Sequence, residues 1–147
     1  MEDKIAHCLT GFRKSHGTQH SLITMLEKWK KGIDNGEYVS ALFMDLSKAF
    51  DTINHDLMLA KLQAYGFSTS ALSLMHSYLK NRKQKVQINN KFSLERDIIA
   101  GVPQGSIDGP LLFNLFINDL VLFIQYSVLS NYADDNNLFV IGGKKKT

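Results

Sequence analysis

Cysteine, proline and long apolar runs are scarce in this sequence of 147 residues. Its one cysteine, Cys8, excludes an internal disulfide and favours a reducing compartment. The first residues are polar and no apolar run follows them, so no secretory signal is expected. The longest apolar stretch, residues 110–124, contains Asn114, Asn118 and Asp119 and is too short to span a bilayer. The sequence therefore predicts a soluble, intracellular protein, cytoplasmic or nuclear, without a membrane partner.

Charges of one sign are missing from two long segments, although the net charge is only +3. Residues 57–94 contain no acid, and residues 98–143 contain no lysine or arginine. A basic segment beside an acidic one suits a polyanion held against a metal site, although ordinary charge scatter on a solvated face also explains it. The basic residues are Lys61, Lys80, Arg82, Lys83, Lys85 and Lys91, and the acids are Asp108, Asp119, Asp134 and Asp135.

Hydrophobic periodicity and turn residues predict helices mixed with strands. Helices are expected at residues 19–33, from Thr52 or Asn54 to 65, at 70–80, and at 110–124. The last one is apolar nearly all round and is therefore expected to be buried. Strands are expected from residue 38 to Asp45 (buried), at 84–88 and at 92–94, with a turn at 89–90 and a loop at 101–105. Because the strands and helices do not alternate regularly, we expect an α+β fold with an antiparallel sheet.

Two adjacent acids, Asp134 and Asp135, lie between two runs of strand-forming residues. This pattern predicts a β-hairpin with both carboxylates at its tip. A divalent cation would offset their repulsion, whereas an ordinary polar turn would also use these residue types. Asp45 ends a strand, and if that strand lies beside the hairpin, three carboxylates meet at one sheet edge. Three acids without a nearby His or Cys favour Mg²⁺ or Mn²⁺, and a pair of such ions suits phosphoryl transfer.

Three motifs occur in a fixed order: residues 43–51 (FMDLSKAFD), 101–106 (GVPQGS) and 132–135 (YADD). They resemble motifs A, B and C of reverse transcriptases, in the variant found in non-LTR retrotransposons, jockey-like elements in particular. Residues 11–19 and 111–120 are also similar to that group. The resemblance implies a polymerase with a partial fingers segment over residues 1–37. A palm with inserted fingers elements and an antiparallel sheet flanked by helices would occupy residues 38–147.

The resemblance also implies the reaction and the metal ligands. Such an enzyme transfers a nucleotide from a dNTP to the 3′-hydroxyl of a DNA primer on an RNA template, with two Mg²⁺ ions, or Mn²⁺ in their place. Asp45 and Asp134 would bind the ions directly, and Asp135 would complete the catalytic triad with a weaker hold on metal. The main-chain carbonyl of Leu46 would also reach an ion.

Four residues are implied in dNTP binding. Phe50 matches the steric gate that excludes a ribose 2′-hydroxyl, although its residue type also suits an ordinary core. Gly105 lacks a Cβ and lets its backbone approach a nucleotide or template strand, with Gln104 as a polar contact. As the alternative, Pro103 and Gly105 only shape a turn before the next helix. Arg13 would hold triphosphate or template phosphates, and a solvated loop charge is the alternative.

Nucleic-acid binding is implied for Tyr132, which would touch the primer end unless it only packs inward as a strand aromatic. It is also implied for a basic cluster, which would follow a phosphate backbone unless it is a plain surface cluster. The basic cluster consists of Lys80, Arg82, Lys83 and Lys85.

Two features argue for alternatives. Asp108 stands where the family usually has an aliphatic residue, and it either assists the following helix or repels phosphate. The resemblance starts inside the fingers and ends after motif C, so we expect the thumb, the endonuclease and the rest of the polyprotein to be absent. Processive synthesis by this chain alone is then not expected. These two features leave an inactive retrotransposon relic, with at most non-specific nucleic-acid binding, as a rival interpretation. A group II intron maturase, which shares the three motifs, is the other rival, and the flanking segments at residues 12–16 and 112–120 argue against it.

Overall fold

The computed structural model describes residues 4–144, which form helices and antiparallel strands in two compact units. Residues 4–47 and 117–144 belong to the first unit, and residues 48–116 form the second. The expected α+β class is confirmed at this level. The helices are α1 (Thr18–Asp34), α2 (His55–Ala64), α3 (Thr69–Leu79), α4 (Asp108–Ile117) and α5 (Leu120–Phe123). The strands are β1 (Glu37–Asp45), β2 (Arg82–Gln84), β3 (Gln87–Ile88), β4 (Lys91–Phe92), β5 (Arg96–Ile98), β6 (Val128–Tyr132) and β7 (Asp135–Lys144).

The first unit is built on an antiparallel sheet in the order β1–β7–β6, with α1 packed on one face. The indole of Trp29 on α1 meets the rings of Phe43 and Phe139 edge-on, at centroid distances of 6.3 and 5.8 Å. Successive side chains alternate between the faces of a strand, so Tyr38 and Leu42 lie on the face opposite to Phe43. Tyr38 and Leu42 are both 57% exposed, and Phe43 is 62% exposed although its ring meets Trp29, because β1 is an outer strand of the sheet and α1 covers only part of it. The prediction that β1 is buried is therefore wrong.

The second unit contains α2, α3, most of α4 and two small two-stranded sheets. The single strand expected at residues 84–88 is divided between them, since β2 pairs with β5 and β3 pairs with β4. Val86, between β2 and β3, is held by Ser93. The Ser93 N–H donates to the Val86 carbonyl at 2.8 Å, and the Ser93 Oγ accepts the Val86 N–H at 2.9 Å. The expected turn between β3 and β4 is confirmed, with positive φ at both Asn89 and Asn90.

The helix expected at residues 110–124 is two helices, α4 and α5, interrupted at residues 118–119. Asn118 accepts a hydrogen bond from the Ala6 N–H at 2.7 Å and donates to the Lys4 carbonyl at 2.8 Å, so its side chain anchors the amino-terminal segment. The expected burial is confirmed for α4, whose Phe113 and Leu115 are 1% and 0% exposed. The same expectation is wrong for α5, none of whose residues is buried.

The other expected helices are confirmed as α1, α2 and α3. Asn54 rather than Thr52 caps α2, because its Oδ1 accepts the Leu57 N–H at 2.9 Å. Gly66 follows this helix with φ +86°, a conformation that favours glycine. Among the helices in the described part of the chain, none has the length and apolar character needed to cross a membrane.

Candidate functional site

The hairpin of β6 and β7 carries the acidic tip, and β1 pairs along its β7 edge. Asp45 is the register partner of Asp135, which in turn pairs with Tyr132 across the hairpin. Asp134 lies in the two-residue loop, and its carbonyl accepts the N–H of Leu46 at 3.4 Å. The backbone therefore places all three predicted carboxylate residues, and Leu46, at the same end of the sheet.

The side chains at this end are less closely gathered than the backbone. Asp45 and Asp135 are exposed and Asp134 is half-buried. Within residues 4–144, no group of three or more His, Cys, Asp or Glu side chains is arranged to hold a metal ion. The donor chemistry fits Mg²⁺ or Mn²⁺ all the same, because the neighbouring ligands are hard oxygens.

A cleft of about 430 Å³ opens beside the carboxylates within the first unit. Asp45, Tyr132 and Asp135 line its sheet side, and Leu22 and Met25 of α1 are among the residues opposite. Tyr132 is half-buried and reaches this cleft. The expected contact of Tyr132 with the primer end stays a prediction.

Two asparagines that the sequence reasoning missed hold the hairpin tip. Asn131 Nδ2 donates to the carbonyls of Ala133 and Asp135 at 2.7 and 3.3 Å and to Asn136 Oδ1 at 3.1 Å. Asn136 Nδ2 donates to the carbonyl of Asp134 at 2.9 Å. Asparagine is depleted in strand interiors, so two of them flanking the acids were the available signal.

In the second unit, the segment that contains Phe50 is joined to the loop of residues 101–105. Phe50 stacks on Phe113 with centroids 4.5 Å apart, and its carbonyl accepts the Val102 N–H at 2.9 Å. Gln104 Nε2 donates to Asp51 Oδ1 at 2.8 Å, a contact that the sequence reasoning missed. The two expected nucleotide-binding segments, A and B, are thus in direct contact through their backbones and through one polar side-chain pair.

Gly105 and Gln104 are both exposed in this loop. A Cβ at Gly105 would meet nothing within 4 Å, and its φ of +76° favours glycine. Asp108 lies in the first turn of α4, where a negative charge is favourable, while Ser106 Oγ accepts the Gly109 N–H at 3.0 Å. The structure therefore gives Asp108 a stabilising position at the helix start.

Comparison with known proteins assigns the chain to a family. Residues 1–146 match the family described as Reverse transcriptase (RNA-dependent DNA polymerase). The chain belongs to the reverse transcriptase family. This membership confirms the resemblance that motifs A, B and C carry.

The relatives of this reverse transcriptase chain include proteins of mobile elements in Drosophila melanogaster. It is 35% identical over 132 residues to a probable RNA-directed DNA polymerase from transposon BS, and 35% identical over 129 residues to one from transposon X-element. It is 31% identical over 132 residues to the RNA-directed DNA polymerase from mobile element jockey. Each match covers 85% of this chain and 14% of the relative.

The remaining predicted residues of this reverse transcriptase chain mostly have local partners. Arg13 Nη1 donates to the carbonyls of Ala6 and Leu9 at 3.2 and 3.0 Å, so its guanidinium supports the amino-terminal segment. Its expected role with a triphosphate stays a prediction.

In the basic cluster, Lys80 pairs with Asp56, and that hydrogen bond, then the ammonium charge, lowers the pKa of the Asp56 carboxyl. Lys83 pairs with Glu95 at 3.7 Å, and the Lys85 ammonium lies 4.6 Å from the Phe92 ring centroid. Arg82 lines a second-unit cleft of about 610 Å³ together with Gln104 and Gly101. Nearby carboxylates thus offset part of the positive charge of the cluster.

Proposed function

We propose that this chain carries the fingers-and-palm part of an RNA-directed DNA polymerase. The enzyme joins a deoxynucleotide from a dNTP to the 3′-hydroxyl of a DNA primer on an RNA template. The observation that carries the proposal is the register of Asp45 with Asp135, next to Asp134, in a chain of the reverse transcriptase family. The names of its relatives support an enzyme of a mobile element. We further propose that it is a retrotransposon enzyme that works inside the cell, in the cytoplasm or nucleus.

The carboxylates of Asp45 and Asp134 would bind two Mg²⁺ or Mn²⁺ ions, with Asp135 and the carbonyl of Leu46 as further oxygen donors. When bound, such ions activate the primer hydroxyl and neutralise the charge that develops on the leaving phosphate. Asp45 and Asp135 are held by strand pairing, so the two carboxylates start from a fixed backbone separation. Pre-organisation of this kind reduces the reorganisation needed when the ligands bind metal.

For the nucleotide, Phe50 is proposed as the gate that excludes a ribose 2′-hydroxyl. Its stack on Phe113 limits the ring's freedom to move aside, which is what a steric filter requires. Gln104 and Gly105 are proposed to contact the nucleotide through an amide and an open backbone, and Arg13 to contact its phosphates. Residues 1–37 are assigned to the fingers, and residues 38–147 to the palm with inserted fingers elements.

Tyr132 is proposed to contact the end of the primer. The basic cluster is proposed to bind the phosphate backbone of the nucleic acid. Because Lys80 and Lys83 already have carboxylate partners, Arg82 and Lys85 are expected to supply more of the attraction. Attraction to phosphates weakens as salt rises, so nucleic-acid binding should fall between low and physiological ionic strength.

Primer extension on an RNA template tests the proposal, with the chain in the longest open reading frame that contains it. Asp134→Asn should reduce dNTP incorporation at least about a hundredfold, because it removes a charged ligand of the reacting centre. Asp34→Asn, an exposed aspartate in the last position of α1, is the matched control and should leave incorporation unchanged. Equal incorporation by Asp134→Asn and the unmodified protein would contradict the assignment.

A further inference from the structure

The tip of the β6–β7 hairpin is held by the two asparagines rather than by apolar packing alone. Asn131 and Asn136 are 0% and 1% exposed, although asparagine side chains are usually at the surface. Together their amide groups bind the carbonyls of three successive residues, Ala133, Asp134 and Asp135. Asn131 also donates to Asn136 Oδ1, so the two amides form one connected pair. Every backbone carbonyl of the acidic tip therefore has a fixed donor.

The backbone of Asn131 is fixed in turn by the amino-terminal segment. Its N–H donates to the Cys8 carbonyl at 2.9 Å, and its carbonyl accepts the Thr10 N–H and hydroxyl at 3.1 and 2.7 Å. A Cβ at Gly11 would lie 2.3 Å from the Ala133 nitrogen, so the segment lies directly against the tip. The asparagine pair thus has a rigid support on the side away from β7.

This arrangement is costly for stability. Asn131 Oδ1 has no hydrogen-bond partner among the described residues, and an unsatisfied buried oxygen destabilises the fold. Ala133 has φ +55° at the first position of the loop, where glycine would be less strained. Apolar burial alone therefore does not account for the two buried amides, whose hydrogen bonds instead hold the tip backbone.

We propose that Asn131 and Asn136 are positioning residues for the metal-binding carboxylates. The inference rests on the proposed function, in which Asp134 and Asp135 bind divalent ions. Both carboxylates extend from the backbone that the asparagine pair fixes, so the pair sets where the two side chains start. Groups that orient metal ligands without touching the metal typically change metal affinity about 10- to 100-fold when mutated.

The test is Mn²⁺ binding to the 147-residue chain, followed by electron paramagnetic resonance. Asn131→Leu and Asn136→Leu keep the side-chain size and remove the donors. Each should weaken Mn²⁺ binding about tenfold or more. Asn54→Leu is the control, because the Asn54 side chain caps α2 in the second unit, where its Oδ1 accepts the Leu57 N–H. It should reduce stability and leave Mn²⁺ affinity within about twofold, well short of the loss expected at the tip.

Two carboxylate variants separate this inference from the proposed function. If Asp45→Asn and Asp134→Asn lose Mn²⁺ binding while both folded asparagine variants keep it, the positioning role is wrong and the metal site stands. If the unmodified chain binds no Mn²⁺, or the aspartate variants bind it normally, the metal site fails and the inference fails with it. Weakened binding in the aspartate variants and in Asn131→Leu and Asn136→Leu, with Asn54→Leu unaffected, supports both.

Circular dichroism shows whether each variant is folded. If the asparagine variants do not fold, nuclear magnetic resonance of the unmodified chain tests the positioning role instead. In the unmodified chain, the side-chain NH₂ resonances of Asn131 and Asn136 should shift during a Mg²⁺ titration. The midpoint should equal that of the Asp134 backbone amide. Side-chain resonances that stay fixed while the Asp134 amide shifts would overturn the positioning role.

Discussion

Single positions in this chain are constrained by backbone conformation and by close neighbours. Gly101 has φ +85°, and a Cβ there would lie 2.7 Å from the Cα and the carbonyl oxygen of Asp51. Gly66 has nearly the same φ, +86°, but open space where the Cβ would go. Replacing each glycine by alanine therefore separates two costs in stability. Gly66 measures the cost of the backbone conformation alone, and Gly101 adds the cost of a steric contact.

Gly101→Ala is expected to destabilise the chain more than Gly66→Ala. Both replacements carry the penalty of about 1 kcal/mol for a left-handed residue with a Cβ. Gly101→Ala adds a clash with backbone that cannot rotate away, typically about 1–3 kcal/mol. Urea unfolding measured by circular dichroism compares the two. Equal losses would show that the loop moves away from Asp51 at no cost.

The pair of Lys80 with Asp56 predicts a pH effect. The hydrogen bond from Lys80 holds the pKa of Asp56 below its ordinary value, so the pair contributes stability above that value. The contribution is lost as the pH falls through the lowered pKa of the folded state. Lys80→Met should therefore raise the Asp56 pKa toward its ordinary value. It should also make the chain's stability fall less steeply on acidification below that value.

Carboxyl-carbon nuclear magnetic resonance across an acid titration measures the Asp56 pKa directly. Lys83→Met removes a charge from the same cluster, but its partner is Glu95, so it should leave the Asp56 titration unchanged. An Asp56 pKa that is the same with and without Lys80 would contradict the structure.

Among the elements, α1 is the one whose packing fixes a face of the sheet. The spacing of its apolar residues predicts the helix. Its contacts with the sheet depend on Trp29, Met25 and Gly32. A Cβ at Gly32 would lie 2.4 Å from Ile141 Cγ2, so the helix approaches β7 closely at this residue. Trp29 then reaches Phe43 on one outer strand and Phe139 on the central one.

Trp29→Ala should destabilise the chain by about 3 kcal/mol, since it removes an aromatic side chain that packs against two rings. Leu26→Ala, on the same helix at 47% exposure, is the matched control and should cost about 1 kcal/mol. Urea unfolding followed by circular dichroism measures both changes. A loss at position 29 no larger than that at position 26 would mean that α1 is held elsewhere.

For the whole molecule, the relevant property is the amount of apolar surface that each unit exposes. In the first unit Leu122, Phe123 and Tyr126 are 74%, 78% and 89% exposed. In the second, Leu94, Ile99 and Ile107 are 84%, 86% and 96% exposed. Exposed apolar groups at this density favour association.

The chain is expected to self-associate as its concentration rises. Size-exclusion chromatography with light scattering should give a mass that increases with protein concentration. The double replacement of Leu122 and Phe123 by serine should reduce the association, because neither side chain is buried in α5. A clean, compact monomer at all concentrations would contradict the prediction.

The sequence by itself determined the local elements and the identity of the acids. Helices α1, α2 and α3 follow from spacing and caps within a few residues, and so does the hairpin that carries Asp134. The sequence also indicated the family, because each of the three motifs is a continuous stretch of chain.

Tertiary structure decided what depends on residues distant in sequence. The register of Asp45 with Asp135, the exposure of β1, and the division of the expected strand between β2 and β3 all depend on which partner each strand finds. The same applies to the backbone of Asn131, whose N–H and carbonyl are held by Cys8 and Thr10, far away in the sequence. Local propensity does not encode these pairings, since the free energy of a strand comes from its neighbours rather than from its own residues.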